Sequence, residues 1–236
     1  MSPLVRASSV SHRYGAPPLA TCVLEDLSLE IMPNELTVVM GPSGSGKTTL
    51  ISILAGLLRP SAGVVELCGA DITKMNDGEV TAARRRSVGF VFQAFHLFAS
   101  LSATDNVAEV LVLFGAHIGA ARTAARALLE TCGLEGRLDA LPAELSAGQR
   151  QRVAIARALA PRPRIVIADE PTASLDGATA KGVMCLLRDY VGPKTGVLLV
   201  THDARLVRPE DRVIELADGR VVGDRPAQPG MPEEAR

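Results

Sequence analysis

Short apolar runs, each closed by glycine or a polar cluster, recur along this chain and predict the strands of a buried parallel sheet. Leu36–Met40 and the stretches 88–92, 164–168 and 197–200 are of this kind. Between them the apolar spacing changes to three and four residues, and helices are expected at 49–58, 79–86, 104–114, 120–132, 150–159 and 176–191. Pro60, Ser61 and Gly63 are read as the stop of the first helix, Thr104 as the cap of the third, and Gly133 as the end of the fourth. Near the start, 4–10 and 24–31 read as antiparallel strands around a Gly15-Ala16-Pro17-Pro18 turn. A further strand is expected at 64–67, and 212–216 with 220–222 reads as a hairpin turning at Asp218-Gly219.

Strand and helix alternate except across 104–160, where the pattern is helical throughout. That block is expected to be a small lobe inserted between the strand leading to Gln93 and the strand leading to Asp169. The loop 94–102 is apolar, with Phe95, Leu97, Phe98 and Leu101, and such a loop asks for a cover from its own core or another chain. After Gly223 the chain is charged and Pro-rich, which predicts a flexible tail over 224–236.

The chemistry concentrates at ends of these elements. Gly41, Pro42, Ser43, Gly44, Ser45, Gly46, Lys47 and Thr48 fit the phosphate-loop pattern between a strand and a helix. The glycines let backbone N–H groups converge on an anion, and the helix N-terminus adds partial positive charge. Lys47 can reach the β- and γ-phosphates, and the Thr48 hydroxyl can ligate Mg²⁺. Asp169 and Glu170 end a buried strand, where paired carboxylates are costly without a cation. A second small-residue turn, Leu145-Ser146-Ala147-Gly148-Gln149, opens onto a helix and forms a second anion site. Position alone leaves Tyr14 open between a surface turn residue and a ring on which a purine stacks. Arg84, Arg85 and Arg86 read first as a solvated helix end, with contact to a phosphate-bearing ligand or a partner as the alternative.

Composition narrows the classes. Of 236 residues 47% are hydrophobic, enough for one large α/β domain, with or without a small inserted lobe. A net charge of −1 and 3% aromatics argue against a nucleic-acid partner. Cys22, Cys68, Cys132 and Cys185 are too scattered for a metal site and suit a reduced, cytoplasmic setting. The N-terminus lacks an apolar signal core, and no run approaches the roughly 20 apolar residues of a membrane helix.

Taken together, these motifs resemble the nucleotide-binding subunit of an ABC transporter over residues 4–223. Gly41 to Thr48 match that family's Walker A, Leu145 to Gln149 its signature, and Asp169 and Glu170 the end of Walker B and the catalytic glutamate. Gln93 matches the Q-loop, Asp176 the D-loop, His202 the switch histidine and Tyr14 the adenine-stacking aromatic. Ala147 departs from the usual glycine. Residues 88–97 and 56–63 are similar to the lipoprotein-release and macrolide-export group.

The resemblance implies a P-loop NTPase fold, with a RecA-like core, an N-terminal antiparallel β region and an inserted α-helical subdomain at about 95–160. It implies ATP and Mg²⁺ as ligands. Tyr14, the loop from Gly41 to Thr49, Ser146, Gly148, Gln149 and Asp176 would hold nucleotide. Thr48, Gln93 and Asp169 would serve the metal, and Lys47, Gln93, Glu170 and His202 the hydrolysis. A second copy of the chain would complete the site. An integral-membrane permease would receive the output at the cytoplasmic face of the inner or plasma membrane, in an export or mechanotransmission role. The alternative is the ATPase of a division-signalling complex of the same architecture. A DNA- or ribosome-acting relative would need a coiled coil or a second cassette, and a phosphate-loop kinase would leave 145–149 unexplained.

Overall fold

The computed structural model describes residues 2–16 and 19–226. The elements run β1 (Val5–Tyr14), β2 (Thr21–Ile31), β3 (Leu36–Met40), α1 (Lys47–Leu54), β4 (Ala62–Leu67), β5 (Ala70–Asp71), α2 (Asp77–Ser87) and β6 (Val88–Val91). They continue α3 (Ala103–Leu113), α4 (Ile118–Thr131), α5 (Ala147–Leu159), β7 (Ile165–Asp169), α6 (Gly177–Asp189), β8 (Gly196–Val200), β9 (Arg212–Ala217) and β10 (Arg220–Arg225). An antiparallel sheet takes the order β2-β1-β4-β5, and a six-stranded sheet the order β10-β9-β3-β8-β7-β6. In the larger sheet β9, β3, β8, β7 and β6 are parallel, and only β10 is antiparallel.

Strand alternation explains how one sheet serves two cores. Ile165, Ile167, Leu198 and Val200 turn toward α1 and the antiparallel sheet. Val166, Ala168, Val197 and Leu199 turn the other way, onto α6 and part of α5. A third core lies among α3, α4 and α5. α5 is shared: Ile155 and Ala158 face the sheet core, whereas Val153 and Ala156 face the helical one. The sheet core and the helical core thus share α5. Among the described residues no helix is long and apolar enough to cross a membrane.

Several expected boundaries shift, each for a local reason. The first helix ends at Leu54, not near Leu58, because Gly56 turns left-handed at φ 68° four residues before the proline. Ser102, not Thr104, caps α3, accepting from Asp105 N–H; Thr104 is buried and donates to Leu138 O at 2.8 Å. α2 begins at Asp77, behind a capping box of Asn76 and Glu79. The final strand runs through Asp224 and Arg225, which the sequence assigns to the tail, because Arg212 holds the Asp224 carboxylate at 2.7 and 2.8 Å. Pro17 and Pro18 of the expected turn, and 227–236 of the expected tail, lie outside the described residues.

Candidate functional site

The parallel strands β3, β7 and β8 all release their chains at the same edge of the sheet, and that edge carries the site. A cavity of about 680 Å³ opens there. It is lined by Tyr14, Gly41, Ser43, Gly44, Gly46, Lys47, Thr48, Thr49, Gln93, Asp169, Glu170 and His202, together with Val23 and Val200. These residues span 189 positions of sequence, from 14 to 202, and meet through sheet topology alone.

β3 delivers the glycine loop. A side chain on Gly41 would overlap the Leu216 carbonyl oxygen of β9, so the loop can leave the sheet at this point only without one. Gly46 precedes α1 at φ 99°, and a Cβ there would stand 2.9 Å from both Val23 O and Leu24 Cδ2. Lys47 folds back over the loop and donates to Gly41 O at 2.9 Å and Pro42 O at 2.7 Å. Its ammonium is thereby held at the centre of the cradle. Ser45 is buried beneath the loop, and its Oγ has no partner among the described residues.

β7 delivers the two acids. Asp169 is the last strand residue. Glu170 takes a left-handed backbone at φ 46°, fixed by its N–H bond to Val200 O at 3.0 Å. Burial pushes the Asp169 carboxyl above its ordinary range; the Thr48 hydroxyl and Lys47 pull it down, and Glu170 pushes it further up. Asp169 Oδ1 and Glu170 Oε2 are buried and unpartnered among the described residues. Glu170 Oε1 lies 2.9 Å from His202 Nδ1, which follows β8 and is largely exposed. Tyr14 closes the far side. Its ring meets His12 edge-on at 4.6 Å, its hydroxyl lies 3.4 Å from Thr49 Oγ1, and 48% of it stays exposed.

Ser146, Gly148, Gln149 and Asp176 do not line this cavity. Their polar groups are engaged within their own helix starts. Ser146 and Gln149 form a reciprocal capping box, at 3.2 Å from Gln149 N to Ser146 Oγ and 2.9 Å from Ser146 N to Gln149 Oε1. Asp176 caps α6, accepting from Ala178 N and Thr179 N at 3.0 Å each and from the Thr179 hydroxyl. These bonds, led by the Thr179 hydroxyl, draw its carboxyl below the ordinary range.

Other residues escaped the sequence reading. Arg157 of α5 donates to the Phe95 carbonyl at 2.8 Å and to that of His96, holding two successive left-handed residues, φ 61° and 48°, just after Gln93. Asn106, fully buried, ties Phe98 N–H and the carbonyls of Phe98, Leu101 and Ser102. An arginine in an Ala-rich helix offers no clue that it holds a loop 60 residues away. The arginine run at the end of α2 is only partly solvated: Arg84 donates to Gly56 O at 2.7 Å, and Arg85 covers the Phe114 ring at 4.5 Å.

Known proteins share this arrangement. The profile described as "ABC transporter" matches residues 24–173. The chain is 43% identical over 223 residues to the lipoprotein-releasing system ATP-binding protein LolD of Hyphomonas neptunium, covering 94% of this chain and 98% of that protein. It is 42% identical over 224 residues to the macrolide export ATP-binding/permease protein MacB 1/2 of Paracoccus denitrificans, covering 95% of this chain and 34% of that one. The chain thus spans about a third of the length of the macrolide-export relatives it matches. Among solved structures, the dimeric post-hydrolysis state of the ATP-binding cassette MJ0796 bound to ADP and Pi superimposes with a TM-score of 0.88 at 36% identity, over 96% of this chain and 100% of that one. With a family profile over more than half its length and a relative covered almost from end to end, the chain belongs to the ABC transporter family as an ATP-binding cassette.

Proposed function

We propose that this chain binds and hydrolyses ATP as the cassette of an export-type ABC transporter, and that ATP-driven pairing of two copies moves a membrane permease at the cytoplasmic face. The observation that carries the reading is the cavity itself. It gathers a phosphate cradle, an aromatic, a glutamine, two partly orphaned acids and a histidine. The names of the relatives, lipoprotein release and macrolide export, support the transport setting, and the dimeric, ADP-bound neighbour supports the pairing.

The residues divide the work. Tyr14 stacks on the adenine. The amides of residues 43–48 and Lys47 receive the phosphates, and Lys47 exchanges its two carbonyl partners for phosphate oxygens. The site fits Mg²⁺: the Asp169 carboxylate is buried with one oxygen unpartnered, and the Thr48 hydroxyl and Gln93 stand in the same cavity. Thr48 and Gln93 would hold the ion directly and Asp169 through water, and the ion would neutralise charge on the β- and γ-phosphates. Glu170 takes a proton from the attacking water, with His202 orienting its carboxylate and presenting its ring to the γ-phosphate. Ser146 and Gly148 of the second copy close over that phosphate, with Gln149 and Asp176 beside them. The exposed Phe98 in the loop after Gln93 offers the permease an apolar contact.

The test is Glu170→Gln. The variant is expected to bind ATP, form a stable dimer and lose turnover by about 10²- to 10⁴-fold, the range of a general base. Normal turnover in this variant would remove Glu170 from its role.

A further inference from the structure

One side chain that belongs to none of the motifs joins the turn that opens α5 to the turn that opens α6. Thr179 lies in the first turn of α6. Its Oγ1 donates to Asp176 Oδ2 at 2.7 Å, and its N–H donates to Asp176 Oδ1 at 3.0 Å. A threonine whose hydroxyl is tied to a helix cap has little χ1 freedom left, so its methyl has a set direction. That methyl lies against Gly148, which is buried. A Cβ added to Gly148 would overlap Thr179 Cγ2, and the threonine cannot swing aside without giving up Asp176. Further along the same pair of helices the contact repeats. A Cβ on Gly182 would stand 2.8 Å from Arg152 Nη2, and Arg152 Nη1 donates to Cys132 O at 2.7 Å.

We propose that Thr179 is a positioning residue for the shared ATP site. It sets the spacing between the Ser146–Gly148 turn and Asp176, so that both meet the second copy as one rigid piece. It also gives position 148 a reason to lack a side chain that lies inside this chain, separate from any approach to phosphate. The inference rests on the two-copy reading above.

The experiment is a cycle of Gly148→Ala and Thr179→Ser, because serine keeps the hydroxyl and deletes the methyl. Four proteins are compared for ATP turnover, ATP-driven dimerisation in the Glu170→Gln background, nucleotide affinity of the monomer and melting temperature without nucleotide. Gly148→Ala alone is expected to lower turnover about 100-fold, as a misplacement near 1 Å does. Adding Thr179→Ser is expected to restore at least about tenfold, in turnover and in dimerisation alike. Monomer affinity should stay within about twofold throughout, since the phosphate loop is untouched. Thr179→Val keeps the methyl and loses the tie to Asp176; it should weaken dimerisation while leaving monomer affinity alone, which a merely structural threonine would not do. The proposal is overturned if the double variant is no more active or dimeric than Gly148→Ala, or if Gly148→Ala is as active as the parent. A parent protein that neither turns over ATP nor dimerises would instead overturn the functional reading, and the melting cycle would still report whether 148 and 179 are coupled.

Discussion

The two anion-binding turns of this chain look alike in sequence and differ in structure. Around the glycine loop, polar groups are buried and left over: Ser45 Oγ, Asp169 Oδ1 and Glu170 Oε2 have no partners among the described residues. Around the signature turn, Ser146 and Gln149 cap each other and Asp176 caps the neighbouring helix, while Gln151, fully buried one turn into α5, has no partner for either amide atom among the described residues. The first region keeps unpaired oxygens on the two acids that line the cavity. In the second, the N–H groups of Ser146 and Gln149 are already taken by the capping box. Each region thus carries buried polar groups that are costly while unpaired: oxygens of a serine and two acids in the first, the Gln151 amide in the second.

Substitutions can break that contrast. The largest effect is expected for Lys47→Ala, which removes the cation at the centre of the cradle. ATP turnover should fall by about 10³-fold or more, with loss of nucleotide binding by the monomer seen in a fluorescent-nucleotide titration. Unchanged turnover would undo the assignment of the whole cavity. Ser146→Ala should do the opposite to binding: monomer affinity is retained, while dimerisation and turnover drop by about tenfold or more, and the lost cap costs about 1 kcal/mol of helix stability. Should monomer affinity fall as well, the two turns are not separate half-sites. Tyr14→Ala should weaken nucleotide binding by roughly tenfold, in keeping with one lost base stack, and calorimetry would measure it.

The smallest effect sharpens the idea of an empty site under tension. The Asp169 carboxyl is raised above its ordinary value, so the folded chain holds its proton more tightly than the unfolded chain. Its favourable contribution to stability is present at acidic pH and fades as pH rises through the raised value. Asp169→Asn should therefore raise the nucleotide-free melting temperature at neutral pH and flatten its decline from acidic to neutral pH, while lowering Mg²⁺-dependent turnover. A lower melting temperature at neutral pH would show that the acid is not held at a cost.

Much of this was readable from sequence because the signals are local. β3 needs only four apolar residues and a buried threonine before a glycine loop, and its predicted bounds coincide with those observed. The runs 165–168 and 197–200 are apolar throughout, which reads as burial on both faces; which residue turns to which core follows from the strand pleat and not from an alternation in the sequence. What escaped depends on long-range meetings. Nothing in the run around Arg157 announces Phe95 and His96, and nothing near Asn106 announces the loop it pins. Threonine before an apolar run is a good cap in general, which is why Thr104 reads as one; Ser102 takes the place because Thr104 finds Leu138 instead. The roles proposed for Ser146, Gly148, Gln149 and Asp176 rest on a geometry between two molecules, which the sequence of one chain does not display.

The overlap that Gly41 avoids with Leu216 has a consequence for how the molecule is made. β3, the strand that carries the phosphate loop, has β8 on one side and β9 on the other, at registers Leu36↔Val197 and Thr37↔Arg212. Both neighbours are synthesised more than 150 residues after it. During synthesis β3 emerges early and has neither of its sheet neighbours until more than 150 further residues have been made. Pairing of such high contact order is slow, and the unpaired strand is exposed to wrong partners in the meantime. Loss of β9 would therefore take away the Leu216 carbonyl against which Gly41 packs, and a strand made more than 150 residues later decides when the glycine loop is set in place.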